Sequence, residues 1–321
     1  MPCASQPPVS PRSLHWRLAL PAPVIMPPLH LLLALSVVLI WGTNFVVIKW
    51  GLVDFPPFLL STLRFLLSAL PWVFFIRRPA VPWTTMAGFG TLLGAGQFGL
   101  LYWAMQSDIT PGLASLVVQS QVFFTILMAM ALAGERPARP QIVALGLAVA
   151  GLALVGWRSV TDAGAAVTLA GLGLVLSAAF CWACANTVVR RAGRVNMVSF
   201  TVWSSLYAVA PLSLITFVAE GPAAIGAALS HASLGGWASV LWQAVGNTIY
   251  GFGAWNWLLS RHPAATVTPM ALLVPVFGML SSALLLDESL PAWKLSAAGL
   301  VIGGLALNIY ASRLRAPLPR P

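Results

Sequence analysis

A succession of apolar runs, each close to 20 residues long, occupies the chain from residue 29 to residue 312. A helix of about 20 apolar residues is as long as the hydrocarbon core of a bilayer is thick, about 30 Å. Charged residues make up only 7% of the chain, whereas a soluble domain carries about 25%. The sequence therefore predicts an all-α polytopic membrane protein.

Ten runs can be distinguished, and prolines such as Pro111, Pro140 and Pro263 lie at or just before their starts, where a missing N–H costs least. The predicted spans are about 29–50, 56–76, 84–105, 111–133, 138–157, 166–190, 198–219, 236–258, 264–286 and 292–312. Residues 1–28 are rich in Pro, Ser and Arg, which predicts a disordered cytoplasmic tail. Residues 313–321 are predicted to form a cytoplasmic carboxyl tail.

The second half of the chain repeats the first, because residues 123–155 align without gaps with residues 276–308. In this alignment Glu135 matches Glu288 and Gly146 matches Gly299. The repeat predicts two five-helix units, 29–157 and 158–312. Because five is odd, the second unit enters the membrane upside down. Such inverted repeats are typical of secondary transporters, which bind substrate near the midplane between the halves.

The basic residues indicate the orientation. Of 17 Lys and Arg, thirteen lie in the tails and the loops on one side, whereas only Lys49, Arg158 and Lys294 lie on the other. The positive-inside rule then places both termini in the cytoplasm. The net charge of +10 is spread through these loops instead of clustering, which excludes a nucleic-acid partner.

Polar side chains within spans are costly in hydrocarbon and usually line a cavity or bond one another. Arg64 is the charge that lies well inside a span, and its guanidinium could hold a substrate carboxylate. It could equally bond helix carbonyls or extend towards the surface along its aliphatic stem. The predicted substrate-binding residues are Trp41, Asn44, Arg64, Gln97, Tyr102, Gln119, Gln121, Trp182, Asn186, Asn247 and Tyr250.

Helix spacing supports that set only in part. Trp41 and Asn44 share a helix face, as do Trp182 and Asn186 in the second half. Asn247 and Tyr250 do the same on the eighth span, whereas Gln119 and Gln121 point to different faces, so that at most one lines a central cavity. The alternative is that these residues form interhelical hydrogen bonds and interfacial contacts.

Small residues predict helix packing at Gly90, Gly94, Gly146, Gly299 and Gly303. Cys181 and Cys184 form a C-x-x-C motif in an apolar span without a nearby His or acid, which favours packing over metal or redox chemistry. No metal, cofactor or catalytic residue is predicted. The acidic residues fall at span ends and no His lies within a span, so facilitated transport is at least as plausible as proton coupling.

Short motifs occur in sequence from about residue 31 to residue 310. They are Trp41-Gly-Thr-Asn-Phe-Val-Val-Ile-Lys49, Leu63-Arg-Phe65, Gly112-Leu-Ala-Ser-Leu-Val117, Gly134-Glu-Arg136, Trp182-Ala-Cys184 and Pro275 to Glu288. In their order and spacing these motifs resemble the EamA family of the drug/metabolite transporter superfamily. The resemblance implies ten helices in two inverted halves, a bacterial inner-membrane location and alternating-access export of small amino-acid metabolites such as cysteine or O-acetylserine.

The sequence also bears on three other functions. Export of aromatic amino acids or drug-like compounds would use the same fold, and the 14 Trp residues would suit it. A non-transporting scaffold would not need polar residues in both halves, and an enzyme would need a nucleophile or paired acids that the spans lack. The expected partners are a small-molecule substrate and the lipid bilayer, and the sequence specifies no oligomeric state.

Overall fold

The structure is a computed structural model that describes residues 26–133, 139–161, 166–190, 192–193 and 195–315. Most of the predicted amino tail, the end of the carboxyl tail and Glu135 lie outside these residues. Within the described ranges every regular element is helical, and the only β pairing is a single bridge between Ile109 and Val167. The prediction of an all-α protein is confirmed.

Seven α-helices lie in the described part of the first half. They are α1 (Pro28–Asp54), α2 (Pro57–Ala69), α3 (Trp83–Thr91), α4 (Leu100–Ser107), α5 (Pro111–Val117), α6 (Gln121–Ala133) and α7 (Arg139–Thr161), with a π-helix, π1 (Leu92–Gly99), between α3 and α4. Short 3-10 turns at Trp72–Phe74 and Val118–Ser120 extend α2 and join α5 to α6.

The second half contains the remaining helices of the described chain. They are α8 (Leu169–Arg190), α9 (Met197–Ala219), α10 (Gly221–His231), α11 (Leu234–Leu241), α12 (Gly251–Arg261), α13 (Ala264–Val267), α14 (Leu273–Leu286) and α15 (Ala292–Arg315), with π2 (Trp242–Tyr250) between α11 and α12. A 3-10 turn, Thr268–Leu272, joins α13 to α14. The exposed helix α10 was not predicted.

Among the described residues, eight helical segments are long and apolar enough to cross a membrane, and they coincide with eight of the predicted spans. The other two predicted spans fall on residues 83–107 and 234–261, which are helical throughout but pass from α through π1 or π2 and back to α. π-Helical segments occur frequently at functional sites. Both of these segments contribute to the site described below.

The outer surface is apolar where lipid is expected. Large apolar side chains such as Leu214, Val218 and Leu284 are between 65% and 76% exposed on their helices. A surface patch of this kind is tolerated in a bilayer but promotes aggregation in water. The structure therefore agrees with a multi-pass membrane protein.

The two halves pack closely against each other. Helix α1 packs on α14, α2 packs on α9, and α7 packs on α15, so that each pair joins one half to the other. The largest buried cluster also contains residues of both halves, for example Leu60, Leu113, Val175 and Val301. A change in the relative position of the halves would have to rearrange these contacts.

Close helix approach occurs at Gly90 and Gly94, which contact Ser204 and Ala208 of α9. A Cβ at Gly94 would lie 2.6 Å from the Ala208 Cβ. The α7–α15 contact differs from the prediction, because a Cβ on Gly146, Gly299 or Gly303 would meet nothing within 4 Å.

Instead, α7 and α15 approach each other at Gly304 and Gly151. A Cβ on Gly304 would lie 2.7 Å from the Ala144 carbonyl oxygen, and one on Gly151 would lie 3.0 Å from the Ala297 carbonyl oxygen. The crossing of the two helices decides which glycines meet the neighbouring backbone, and the sequence motif does not encode that crossing.

Candidate functional site

The side chain of Arg64 lies at the centre of a buried cluster between the two halves. It belongs to α2 and is 1% exposed. Its Nη1 donates to the Tyr102 hydroxyl at 2.7 Å and its Nη2 donates to Thr248 Oγ1 at 3.2 Å. The guanidinium also lies 3.6 Å from the centre of the Phe98 ring. These contacts hold its plane in one orientation.

Gln243, which the sequence analysis missed, completes this cluster. Arginine has only hydrogen-bond donors, so the Tyr102 oxygen accepts from Arg64 and its hydroxyl hydrogen is donated to Gln243 Oε1. Gln243 is fully buried, and no described residue accepts a hydrogen bond from its Nε2 or from Arg64 Nε. Two N–H donors are therefore unpaired in one buried cluster.

The π-helix π2 places two of these residues. Thr248 Oγ1 donates to the carbonyl oxygen of Gln243 at 2.9 Å, a bond that spans the wider turn of the π-helix. Phe98 and Gln97 lie on π1, the corresponding segment of the first half. A sequence pattern with a period of 3.6 residues does not reveal such a segment. The available signal for Gln243 was its position four residues before Asn247, which puts two polar side chains close together on one helix.

Arg64 has no carboxylate partner among the described residues. An uncompensated buried charge is expensive, and buried cations are usually paired. Four described acids accept hydrogen bonds through their carboxylates, and they do so at helix ends and not beside Arg64. These are Asp54, Asp108, Glu220 and Glu288.

These four acids define what we call the carboxylate clasps, because each binds the start of a helix in the other half. Asp54 accepts from the backbone N–H and hydroxyl of Ser233, at 3.2 and 2.7 Å, before α11. Asp108 accepts from the Thr168 hydroxyl at 2.9 Å, before α8. Helix starts carry unpaired N–H groups and partial positive charge, so a carboxylate stabilises them.

Two clasps come from the second half. Glu220 accepts from the backbone N–H groups of Phe58 and Leu59, at 2.6 and 3.0 Å, at the start of α2. Burial raises the pKa of Glu220 above its ordinary value, although these two hydrogen bonds oppose the shift. The clasps all lie at one end of the helix bundle, which we call the clasp end.

Glu288 forms the most extensive clasp. It accepts from the Thr110 hydroxyl at 2.5 Å, from the Gly112 N–H at 3.0 Å, from Ser282, and from Lys294 at 2.9 Å. Burial favours a raised pKa for Glu288, but the hydrogen bonds from Ser282, Thr110 and Lys294, together with the Lys294 charge, lower it overall.

A cavity of about 420 Å³ lies between α6 and α7 of the first half and α8 and α15 of the second. Asn186 Nδ2 donates to Gln121 Oε1 at 3.0 Å on its wall, and Gln141 Nε2 donates to Asn308 Oδ1 at 3.4 Å. The lining residues are Gln121, Val122, Thr125, Ile126, Gln141, Asn186, Val189, Arg190 and Asn308. The cavity thus combines amides with one cation, and no aromatic side chain is among those lining residues.

The remaining predicted residues are distributed around these two places. Trp41 Nε1 donates to the Asn247 carbonyl oxygen at 3.1 Å, which ties α1 to π2. Asn44 and Gln97 are buried with unpartnered side-chain oxygens. Tyr250 is 38% exposed and bonds the Ser36 hydroxyl.

Gln119 is buried in the turn before α6, whereas Gln121 reaches the cavity. Trp182 packs on two of the buried apolar clusters. Cys184 Sγ lies 3.9 Å from Met128 Sδ, and Cys181 packs where Gly96 leaves room. Among the described residues, no three His, Cys, Asp or Glu side chains group as metal ligands would.

Comparison with known proteins gives the class of this fold and site. The model of the EamA-like transporter family matches residues 28–157 and again residues 169–310. The chain belongs to the EamA-like transporter family. Membership confirms the predicted family and the prediction that the protein is a transporter and not an enzyme.

Individual relatives are similar over nearly the whole chain. A "Probable amino-acid metabolite efflux pump" of Salmonella typhimurium is 40% identical over 287 residues, which cover 88% of this chain and 95% of that protein. One of the same description from Escherichia coli is 38% identical with the same coverage. A solved crystal structure superposes with a TM-score of 0.59 at 20% identity, covering 90% of this chain and 99% of that one, which supports the fold alone.

Proposed function

We propose that this protein exports small amino-acid metabolites, of the size and polarity of cysteine or O-acetylserine, across the bacterial inner membrane. The observation that carries the proposal is the amide-lined cavity of about 420 Å³ between the halves. The relatives in Salmonella and Escherichia, described as probable amino-acid metabolite efflux pumps, support it. Amides and one cation suit a small zwitterion better than an aromatic ring.

We propose a topology of ten spans in two inverted five-helix repeats, 29–157 and 158–312, with the broken helices 83–107 and 234–261 as the third and eighth spans. The distribution of Lys and Arg supports cytoplasmic termini. Under this topology the clasp end faces the periplasm, and the cavity lies towards the cytoplasm. The conformation is then closed outwards, and export requires the clasps to open by alternating access.

The proposed binding residues fall into two places that substrate visits in turn. Gln121 and Asn186 line the cavity where a cytoplasmic substrate is captured. Arg64 and Tyr102, with Asn44, Gln97 and Asn247, are proposed to hold substrate once the halves move. The burial of all five side chains supports this assignment.

The proposal is tested by flux of labelled cysteine and O-acetylserine through proteoliposomes containing the purified protein, with and without a pH gradient. Flux above empty liposomes supports export, and its response to the gradient separates proton coupling from facilitated transport. Absence of flux in folded protein, with transport of aromatic amino acids or drug-like cations instead, would replace this substrate class by the alternative one.

A matched pair of variants tests the cavity. Asn186→Leu removes the amide that bonds Gln121 and should reduce flux about tenfold, the loss expected for a hydrogen bond of about 1.4 kcal/mol. Asn256→Leu makes the same change outside the cavity, where the amide bonds only its own helix at Phe252. Flux in Asn256→Leu should match the wild type. Equal flux in both variants would remove the cavity from the transport path.

A further inference from the structure

The buried cluster around Arg64 contains donors without acceptors. Arg64 Nε and Gln243 Nε2 are both unpaired, and both residues are connected through the Tyr102 hydroxyl. The orientation of the Gln243 amide follows from chemistry, because Arg64 can only donate and Tyr102 must therefore donate onward to an oxygen. The unpaired group at Gln243 is thus an N–H donor.

No carboxylate of the described residues contacts this cluster. An arginine guanidinium remains charged in proteins and prefers a carboxylate in a two-oxygen arrangement. Within the described ranges the four clasp acids accept their hydrogen bonds at helix starts, away from this cluster. The Phe98 ring covers one face of the guanidinium and leaves its edge for hydrogen bonding.

The cluster lies across the boundary between the halves. Arg64, Phe98 and Tyr102 belong to the first half, and Gln243 and Thr248 belong to the second. Movement of the halves would therefore open this cluster, and a bound group would contact both halves. A substrate carboxylate at this position would therefore interact with both halves and could affect their relative position.

We infer that Arg64 Nε and Gln243 Nε2 together form the site for the substrate carboxylate, and that Gln243 is a specificity-determining residue. The inference rests on the proposed export function and adds a chemical requirement to it. Substrates need a free carboxylate, and compounds in which it is replaced by a neutral carboxamide are rejected. A neutral amide at position 243 is required because an acid there would supply the anion internally.

The experiment measures displacement of labelled O-acetylserine from purified protein in nanodiscs by unlabelled O-acetylserine or by its carboxamide. In the wild type the free acid should displace label at a concentration at least about tenfold lower than the carboxamide does, as expected for a hydrogen bond to a charged group. Equal potency of acid and carboxamide overturns the inference. Absence of any bound label refutes the proposed export function first, and the inference with it.

Variants assign the effect to this cluster. Gln243→Glu supplies an internal anion and should weaken binding of the free acid by about tenfold or more, with a melting temperature no lower than that of the wild type. Gln106→Glu makes the same change at an exposed position and should bind as the wild type does. Wild-type binding by folded Gln243→Glu overturns the inference.

A second variant keeps the test decisive if Gln243→Glu does not fold. Gln243→Leu removes the donor without adding charge, and it should reduce the preference for acid over carboxamide. Arg261→Gln removes an exposed cation that belongs neither to the cavity lining nor to this cluster, and it should leave that preference unchanged. Arg190→Gln removes the cation that lines the cavity. If Arg190→Gln abolishes the preference while Gln243→Leu retains it, the carboxylate binds in the cavity and the inference is wrong.

Discussion

Replacement of Glu288 by Gln should open the clasp end. The carboxylate accepts from Thr110 and Gly112 of the first half and from Lys294 of its own half. Opening separates the halves, so it breaks the first two hydrogen bonds and leaves the ion pair with Lys294 in place. The substitution therefore affects the conformational equilibrium through Thr110 and Gly112 alone.

The structure sets the size of this effect. A Gln oxygen can still accept from one of the two groups, so about one hydrogen bond to a charged acceptor is lost, worth about 1.5–3 kcal/mol. The population of the outward-open conformation should then rise about 10- to 100-fold. Separately, Lys294 is 2% exposed and loses its charged partner in both conformations while keeping its hydrogen bond to the Ser289 carbonyl oxygen, which should destabilise the fold by about 3 kcal/mol.

A cysteine at position 115 reports the opening. Ser115 is fully buried, its hydroxyl donates to the Gly112 carbonyl oxygen at 2.7 Å, and it packs against Gly278 of α14. In protein lacking the three native cysteines, a membrane-impermeant maleimide added from outside should label Ser115→Cys slowly. With Glu288→Gln the labelling rate should rise about 10- to 100-fold.

Two controls separate gating from stability. Asp287→Asn changes the neighbouring, exposed acid in the same way and should leave the labelling rate unchanged. Adding Lys294→Met to Glu288→Gln should restore the melting temperature but not slow the labelling. If Glu288→Gln is labelled within about twofold of the control, its clasp is a static ion pair and the reasoning fails.

The clasp of Glu288 also predicts a pH dependence. Because its pKa is lowered, its contribution to closure is present above the ordinary Glu value of about 4.3 and is lost only as the pH falls through the lowered value. Maleimide reacts with the thiolate, so the labelling rate of Ser115→Cys is divided by that of a free thiol at the same pH, and this ratio should stay flat from about pH 8 to about pH 5. Gly304→Ala should lower the free energy of unfolding by about 1–3 kcal/mol, because its Cβ would lie 2.7 Å from the Ala144 oxygen. Gly146→Ala should raise the free energy of unfolding by up to about 1 kcal/mol, because its Cβ would meet no described atom within 4 Å. Thermal unfolding measures both changes. Lys49→Met should cost about 0.3–1 kcal/mol by the same measurement, because the ammonium bonds the last carbonyls of α4 at 2.9 and 3.1 Å.

Apolar run length predicted the helices well, because a bilayer fixes the length of a span and leaves the sequence little freedom. The predicted span 198–219 corresponds to Met197–Ala219, and 292–312 corresponds to Ala292–Ala311. The π-helical segments were missed because they change the helix register without changing composition. Gln243 was missed with them, since its side chain is placed by π2.

Contacts between distant residues were beyond reach of the pattern. The five acids among the described residues lie at span ends or in loops as predicted, but nothing in the sequence pairs Asp54 with Ser233 or Glu220 with Phe58. The prediction that Gly146 packs against a neighbouring helix was wrong for a related reason, because the crossing of two helices is set by their whole interface. The distribution of the predicted binding residues between the cavity and the Arg64 cluster stays a proposal for the experiments above.

The clasps make the two repeats unlike one another in a way that their shared sequence hides. Each half contributes two carboxylates, and these accept hydrogen bonds from two helix starts of the other half. Fragments 29–157 and 158–312, produced as separate polypeptides, should therefore associate with each other specifically. Two copies of either fragment would have acids without the helix starts of the other half that they bind, so mixed assembly should be favoured over self-assembly.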